Sequence, residues 1–317
     1  MLIDAHVHSF PPGCLPAAMH RATARSWAFQ TWPPRDEKLI QDKIEPGFTD
    51  PDGSLLIADL DAAGIDAGVV MALDHGVAFG EEAPMGIGEL LEHYARLRER
   101  WAPRLSVFAN VDPRRPGAGQ LLAAALDEMG YCGAKIYPNG YFVYDDRCRA
   151  LMSICQDRNV PVLVHTAMSR YPIQGYYADP AFLADTQHLF PDLVVILGHA
   201  GAPIWLDHAL ITAAGSTNTY LEMSHWTRMA YTDPDGLVRV LERARDAVGA
   251  HRLLFGSDHT PGPRYSGSRS KLPAMISFMR ELSSRSAFTA AEVDLMLGGN
   301  VARILELAPA GPARVTP

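Results

Sequence analysis

Residues 161–166 read PVLVHT, a short and continuously apolar run that closes on a histidine. A strand with one face in water alternates polar and apolar residues, whereas an unbroken Val/Leu run suits a strand buried on both faces, as in a parallel sheet. The same shape recurs along the chain: LIDAHV from Leu2, AGVVMAL from Ala67, LSVFANV from Leu105, GAKIY from Gly133, LVVILGH from Leu193, NTYLEMS from Asn218 and RLLFGSD from Arg252. Amphipathic stretches lie between these runs. SLLIADLDAAG begins at Ser54, a residue suited to an N-cap, and stops at Gly64, suited to a C-cap. IGELLEHYARLRERW, GQLLAAALDEMG, RCRALMSICQDRN, PAFLADTQHLF, PDGLVRVLERARDAV and KLPAMISFMREL carry apolar residues at helical spacing. Eight strands alternating with helices predict an α/β fold, a (β/α)8 TIM barrel, formed by residues 1–317 as a single domain.

Two segments depart from the repeat. Residues 9–53 form a long loop after strand one, on the face where barrel loops carry catalytic residues. Trp27, Phe29 and Trp32 within it are candidates to line or cover a pocket, with Trp27 and Trp32 taken as substrate contacts. The stretch TAAEVDLMLGGNVARILEL predicts one or two extra C-terminal helices packed below or against the barrel.

Composition narrows the class of partner. A formal net charge of -8 with no basic block argues against nucleic acid and anionic membranes. No stretch approaches a membrane span, and Asp4 and His6 stand where a signal peptide would need a basic start and an apolar run. Four cysteines without CxxC spacing suggest reduced thiols in a cytoplasmic protein that works on a small molecule; a homo-oligomer is compatible with all of this.

The chemistry sits at the strand ends. His6 and His8, two apart in DAHVH, share a face if the segment is extended, with Ala5 and Val7 on the other, and neighbouring imidazoles suit a shared metal ion. Lys135, His165, His199 and Asp258 end later strands, at intervals of 30, 34 and 59 residues. One βα unit takes roughly 30 residues, so the steps are one, one and two units. All of these groups therefore fall on one rim, at the mouth of an apolar barrel where unpaired polar groups would be costly.

Together DAHVH, GAKIYP, PVLVHT, LGHAG, LFGSD and GGNVARIL resemble the amidohydrolase superfamily, most closely its amidohydrolase-related branch, in the family's order along nearly the whole chain. The resemblance implies a rim that holds one or two divalent metals and activates water. His6, His8 and Asp258 would be ligands, and Asp258 would also act as general acid/base. His165 and His199 would either complete a second site or divide the work, with His199 polarising the substrate carbonyl. Lys135 looks like the lysine that some members carbamylate to bridge two metals; the alternative is an unmodified lysine that donates to substrate. Zinc suits the mixed nitrogen and oxygen set, with manganese or iron as alternatives.

The expected activity is metal-dependent hydrolysis of a small-molecule amide, lactone or ester. The alternatives are non-oxidative decarboxylation of an aromatic or unsaturated acid, also found in this branch, and an inactive metal-binding protein. Lys135 in AKIYP and the sequence GHAGAP tilt the resemblance toward hydrolysis. Tyr137, Arg170 and Arg264 are candidate substrate contacts, the arginines as carboxylate clamps. At strand seven, Ser224 rather than His225 is expected to approach the pocket, and His75 has no partner spacing to give it a function.

Overall fold

The computed structural model describes residues 1–262 and 271–307. Its strands are β1 (Ile3–Val7), β2 (Ala67–Met71), β3 (Leu105–Asn110), β4 (Ala134–Ile136), β5 (Val162–His165), β6 (Val195–Gly198), β7 (Thr219–Glu222) and β8 (Leu253–Leu254). Neighbours pair in parallel and in sequence order. The first and last strands meet through backbone bonds: Ala5 N–H donates to Phe255 at 3.0 Å, His8 N–H to His259 at 2.8 Å and Asp258 N–H to His6 at 2.9 Å. These close the ring into the expected (β/α)8 barrel.

Both faces of the strands are dry, which is why they read as continuous apolar runs. Ile3, Val69, Met71, Phe108, Leu163, Ile196, Tyr220 and Leu254 fill the interior. Val70, Val107, Val164, Leu197 and Leu221 pack outward against the helices. Strand β1 breaks simple alternation. Ala5 belongs to the interior cluster, and the register with β2 shifts between Asp4 and Val7. The extra residue of this irregularity lets His6 face inward directly after Ala5.

The segment 9–53 is not a plain loop. It holds α1 (Ala17–Ala28) and α2 (Glu37–Phe48), which pack on each other, Asp36 capping α2 through a 2.7 Å bond from Leu39 N–H. Helix α1 is rich in alanine, which gives little contrast between its faces, and α2 is mostly exposed, so their period is faint in the sequence. Helix α3 (Ser54–Ala63) ends at Gly64 as expected, but its N-cap is Gly53 at φ 76°, not Ser54. The Asp50 carboxylate instead accepts from the amides of Leu55 and Leu56, both at 3.1 Å. The chain continues through α4 (Gly76–Phe79), α5 (Ile87–Arg100), α6 (Ala118–Glu128) and α7 (Asp146–Asp157). PAFLADTQHLF is split into a 3-10 turn, Pro180–Leu183, and α8 (Thr186–Leu189), because Asp185 between them leaves the helical region (φ −92°, ψ 3°). Helix α9 (Leu206–Ala214) supplies the unit after β6, and α10 (Pro234–Val248) and α11 (Lys271–Arg280) follow β7 and β8.

After α12 (Leu282–Arg285), the tail forms α13 (Ala290–Asp294), a π turn at Leu295–Gly299 and α14 (Asn300–Ile304). It plugs the end of the barrel where the strands begin: Phe255 N–H donates to Met296 at 2.9 Å, and the Asn300 amide donates to Ala250 and Leu253, both at 2.8 Å. The four cysteines are free thiols. Among the described residues no helix is long and apolar enough to cross a membrane.

Candidate metal centre

At the opposite end of the barrel, the strands deliver polar groups in an order set by alternation. Lys135 and Tyr137 share the inward face of β4, since Ala134 and Ile136 pack outward. His165 follows Leu163 inward on β5, and Glu222 follows Tyr220 on β7. His199 and His225 are each one residue out of phase, because the inward positions there are Gly198 and Ser224. Both sit at φ 69°, a left-handed conformation that side chains with a Cβ seldom adopt. That turn brings each imidazole back over the mouth, where the two rings stack with centroids 4.1 Å apart. Asp258 is held similarly, at φ 54°.

The hydrogen-bond partners fix the tautomers, since carboxylates and carbonyls only accept. Nδ1 of His6 lies 2.9 Å from Oε2 of the fully buried Glu222 and so carries the proton. Its Nε2 lone pair faces Nζ of Lys135 at 3.4 Å and Oδ1 of Asp258 at 3.8 Å. The Ser224 hydroxyl donates to Glu222 at 2.8 Å, so Nδ1 of His199, 2.7 Å from that hydroxyl, must be a donor as well. Nε2 of His165 lies 3.1 Å from the Ala167 carbonyl and 2.9 Å from the Ser169 hydroxyl. This leaves Nδ1 of His165 and Nε2 of His199 as acceptors facing one another at 2.9 Å.

Electrostatics agree with a cation-ready pocket. Burial, reinforced by the Lys135 charge, pushes His6 down to about 4 and His165 well below the usual histidine range. Burial does the same to His199. Burial opposes the charge on Asp258, but hydrogen bonds from His225 (2.9 Å) and His8 (3.1 Å) and the Arg228 guanidinium (2.8 Å) outweigh it and hold the carboxyl well below its ordinary value. His6, His199 and Asp258 each offer a donor atom within 4.8 Å of the others. Neutral nitrogens and one carboxylate, with lone pairs aimed at a common point, fit a divalent cation. Lys135 is 2 % exposed, and burial lowers its amine to about 8 against the pull of Glu222 and Asp258.

Outside this cluster opens a cavity of about 810 Å³. Of the residues singled out from sequence, His6, His8, Lys135, His165, His199 and Asp258 line it together with Tyr137, Arg170 and Trp27. Tyr137 stacks on His165 with centroids 4.2 Å apart. Trp32 does not join them; it is 91 % exposed and outside the cavity lining. Arg264 lies outside the described residues. Ser224, expected to face the pocket, is buried beneath it as a partner of Glu222 and His199, and His225 lines the cavity instead. His259 turns away and pairs with Asp59 at 2.8 Å. Sequence reasoning also passed over Glu222, Arg228 and His75. An acidic residue at an inward position of a buried strand was the available signal for Glu222.

A family model described as Amidohydrolase matches residues 3–307. The chain belongs to the amidohydrolase family. Solved structures with the same fold include the following three. A 5-carboxyvanillate decarboxylase from Novosphingobium aromaticivorans, complexed with manganese and 4-hydroxy-3-methoxy-5-nitrobenzoic acid, is 15% identical (TM-score 0.66; 97% of this chain and 96% of that one covered). An amidohydrolase from Burkholderia multivorans with bound zinc is 18% identical (TM-score 0.63; 97% and 100%). A probable 2-pyrone-4,6-dicarboxylic acid hydrolase from Acinetobacter baumannii with citric acid bound is 14% identical (TM-score 0.58; 96% and 99%). None of the curated protein sequences compared with the chain matches it.

Proposed function

We propose that this amidohydrolase is a metal-dependent hydrolase in which activated water attacks the carbonyl of a small-molecule amide, lactone or ester and the acyl C–N or C–O bond breaks. The observation that carries the reading is that donor atoms of His6, His199 and the ionised Asp258 lie within 4.8 Å of one another, with the Nδ1 lone pair of His165 2.9 Å from Nε2 of His199. His6, His8, His165, His199 and Asp258 would hold the ion, with zinc the best match and manganese or iron as alternatives. When bound, the cation supplies Lewis acidity for activating water and polarising a carbonyl. The protein's own groups do the rest. Asp258 takes a proton from the attacking water and returns it to the leaving group. Ser224 keeps His199 in the tautomer whose Nε2 lone pair is free for the ion, and Glu222 does the same for His6. Tyr137, Trp27 and Arg170 position the substrate.

Lys135 sets the number of ions. As a carbamate it would anchor a second one; as an amine it would donate to the substrate. A mass gain of one CO2 on Lys135 in the intact protein distinguishes the two.

Decarboxylation is the second reading, favoured by the two exposed guanidiniums, Arg170 and Arg228, on the cavity wall, which suit a substrate carboxylate. The test is metal analysis coupled to a panel of amides, lactones and carboxylated aromatics. Hydrolysis predicts acid or amine products, and decarboxylation predicts CO2. His8→Ala or Asp258→Asn abolishes turnover with the fold intact. Activity retained in both variants removes the basis for either reading, and tight metal binding without any turnover leaves an inactive binding protein.

A further inference from the structure

We propose that His75 is a specificity-determining residue that binds an uncharged hydroxyl or carbonyl oxygen of the substrate, remote from the group that meets the cation. The inference rests on the rim cavity being the substrate site, and it adds which polar substituent that substrate carries.

His75 follows β2, lines the cavity and is 4 % exposed, yet its ring nitrogens have no hydrogen bond to any described residue. Buried polar side chains are normally paired. The surrounding groups are. Asp74 N–H donates to Asn110 at 2.7 Å. The Asp74 carboxylate accepts from Asp112 N–H at 2.9 Å and from the Arg115 guanidinium at 2.7 and 2.9 Å, and Arg115 continues to Glu82. On the other side, a Cβ on Gly76 would run into that Glu82 carboxylate. The imidazole is packed edge-on against Tyr137, with centroids 5.3 Å apart. The backbone on both sides is thus pinned while the ring is left open only to the cavity.

Chemistry selects the ligand class. Burial dominates over the nearby Asp74 charge and lowers His75 to about 4, so the ring is neutral near pH 7. A neutral imidazole offers one donor and one acceptor, which a hydroxyl can satisfy together; a carboxylate is better served by Arg170 or Arg228. Nδ1 of His8, at the neighbouring strand end, is also buried without a partner.

The experiment titrates benzoate, 3-hydroxybenzoate and 4-hydroxybenzoate calorimetrically into the zinc-treated and the metal-free protein, as wild type, His75→Phe and His75→Gln. The expected result is a preference of about tenfold for a hydroxylated acid in the wild type, as one buried hydrogen bond gives. His75→Phe erases that ratio with benzoate affinity unchanged, and His75→Gln restores part of it. Zinc content and melting temperature stay at wild-type values. A wild type that binds all three equally, or binds none, overturns the proposal, as does a ratio that survives His75→Phe. Failure to take up zinc would instead count against the metal centre, because the hydroxyl preference is read on the metal-free protein too.

Discussion

Nε2 of His199 lies 2.9 Å from Nδ1 of His165, and the groups behind each ring leave both atoms as acceptors. Two lone pairs at that separation repel unless a proton or a cation lies between them. Burial holds both rings well below the usual histidine range, which disfavours the proton near neutral pH. The pair therefore marks where the molecule gains most from a metal. Chelator-stripped protein is expected to melt at lower temperature than protein reloaded with zinc. At an ion concentration 100 times the dissociation constant the gain is about 2.7 kcal/mol. Identical melting curves with and without zinc would contradict this.

Glu222 and Ser224 touch the ligands rather than the ion, and set which ring nitrogens are free. Glu222→Gln and Ser224→Ala are expected to weaken metal affinity about 10- to 100-fold, the usual effect of losing such a partner. Competition with a chromophoric chelator reads this directly. Wild-type affinity in both variants would show that the tautomers are set elsewhere.

Gly256, in the sequence LFGSD, packs where a Cβ would collide with Oε1 of Glu222 and crowd Cβ of His6. Gly256→Ala should therefore act as a second route to the Glu222 defect: lowered metal content together with a loss of stability of about 1–3 kcal/mol from overpacking. Urea unfolding and metal analysis on one preparation check both halves.

Acid sensitivity follows from the buried neutral histidines. Burial lowers His75 to about 4 in the fold from an ordinary 6.5, so between those values the unfolded chain binds more protons and stability is lost as pH falls from about 6.5 to 4. Asp4 works the other way, because burial raises it to about 7 and its contribution declines as pH rises toward that value. The difference between variants isolates the histidine. Between pH 7 and pH 5, metal-free His75→Phe should lose about 2 kcal/mol less stability than the wild type. Parallel pH profiles would refute the assignment.

The two tryptophans proposed from sequence should now behave differently. Trp27 lines the cavity and leans on Phe48 with ring centroids 6.1 Å apart, while Trp32 projects into solvent. Trp27→Ala should raise KM several-fold once a substrate is known, and Trp32→Ala should leave it within about twofold, as surface changes do. Equal effects would place Trp32 at the cavity after all.

Most of the barrel was legible because its strands are dry on both sides, so a pattern of apolar runs survives without alignment. The rim was legible for the same reason: His165, Lys135 and Asp258 stand out against Val, Ile and Leu. What alternation could not supply was the conformation just past a strand. His225 would point away if β7 ran on extended, and only its φ of 69° aims it at Asp258, which is why Ser224 looked the better candidate. His75 was silent because it has no partner along the sequence, and its setting is built by Asp74, Asn110 and Arg115 from two strands. Helices α1 and α2 were missed because the alanines of α1 give little contrast between its faces and the mostly exposed α2 leaves little apolar rhythm.

The seam between β1 and β8 brings residues 4–8 against residues 255–259, with Ser257 bonded to Asp4 and Asp258 to the backbone of His6. A growing polypeptide on the ribosome therefore carries histidines long before it owns the carboxylate that completes their set. Ion capture is deferred until β8 and Asp258 have been made, and a chain cut short of Asp258 would be recognisable by its inability to retain the ion.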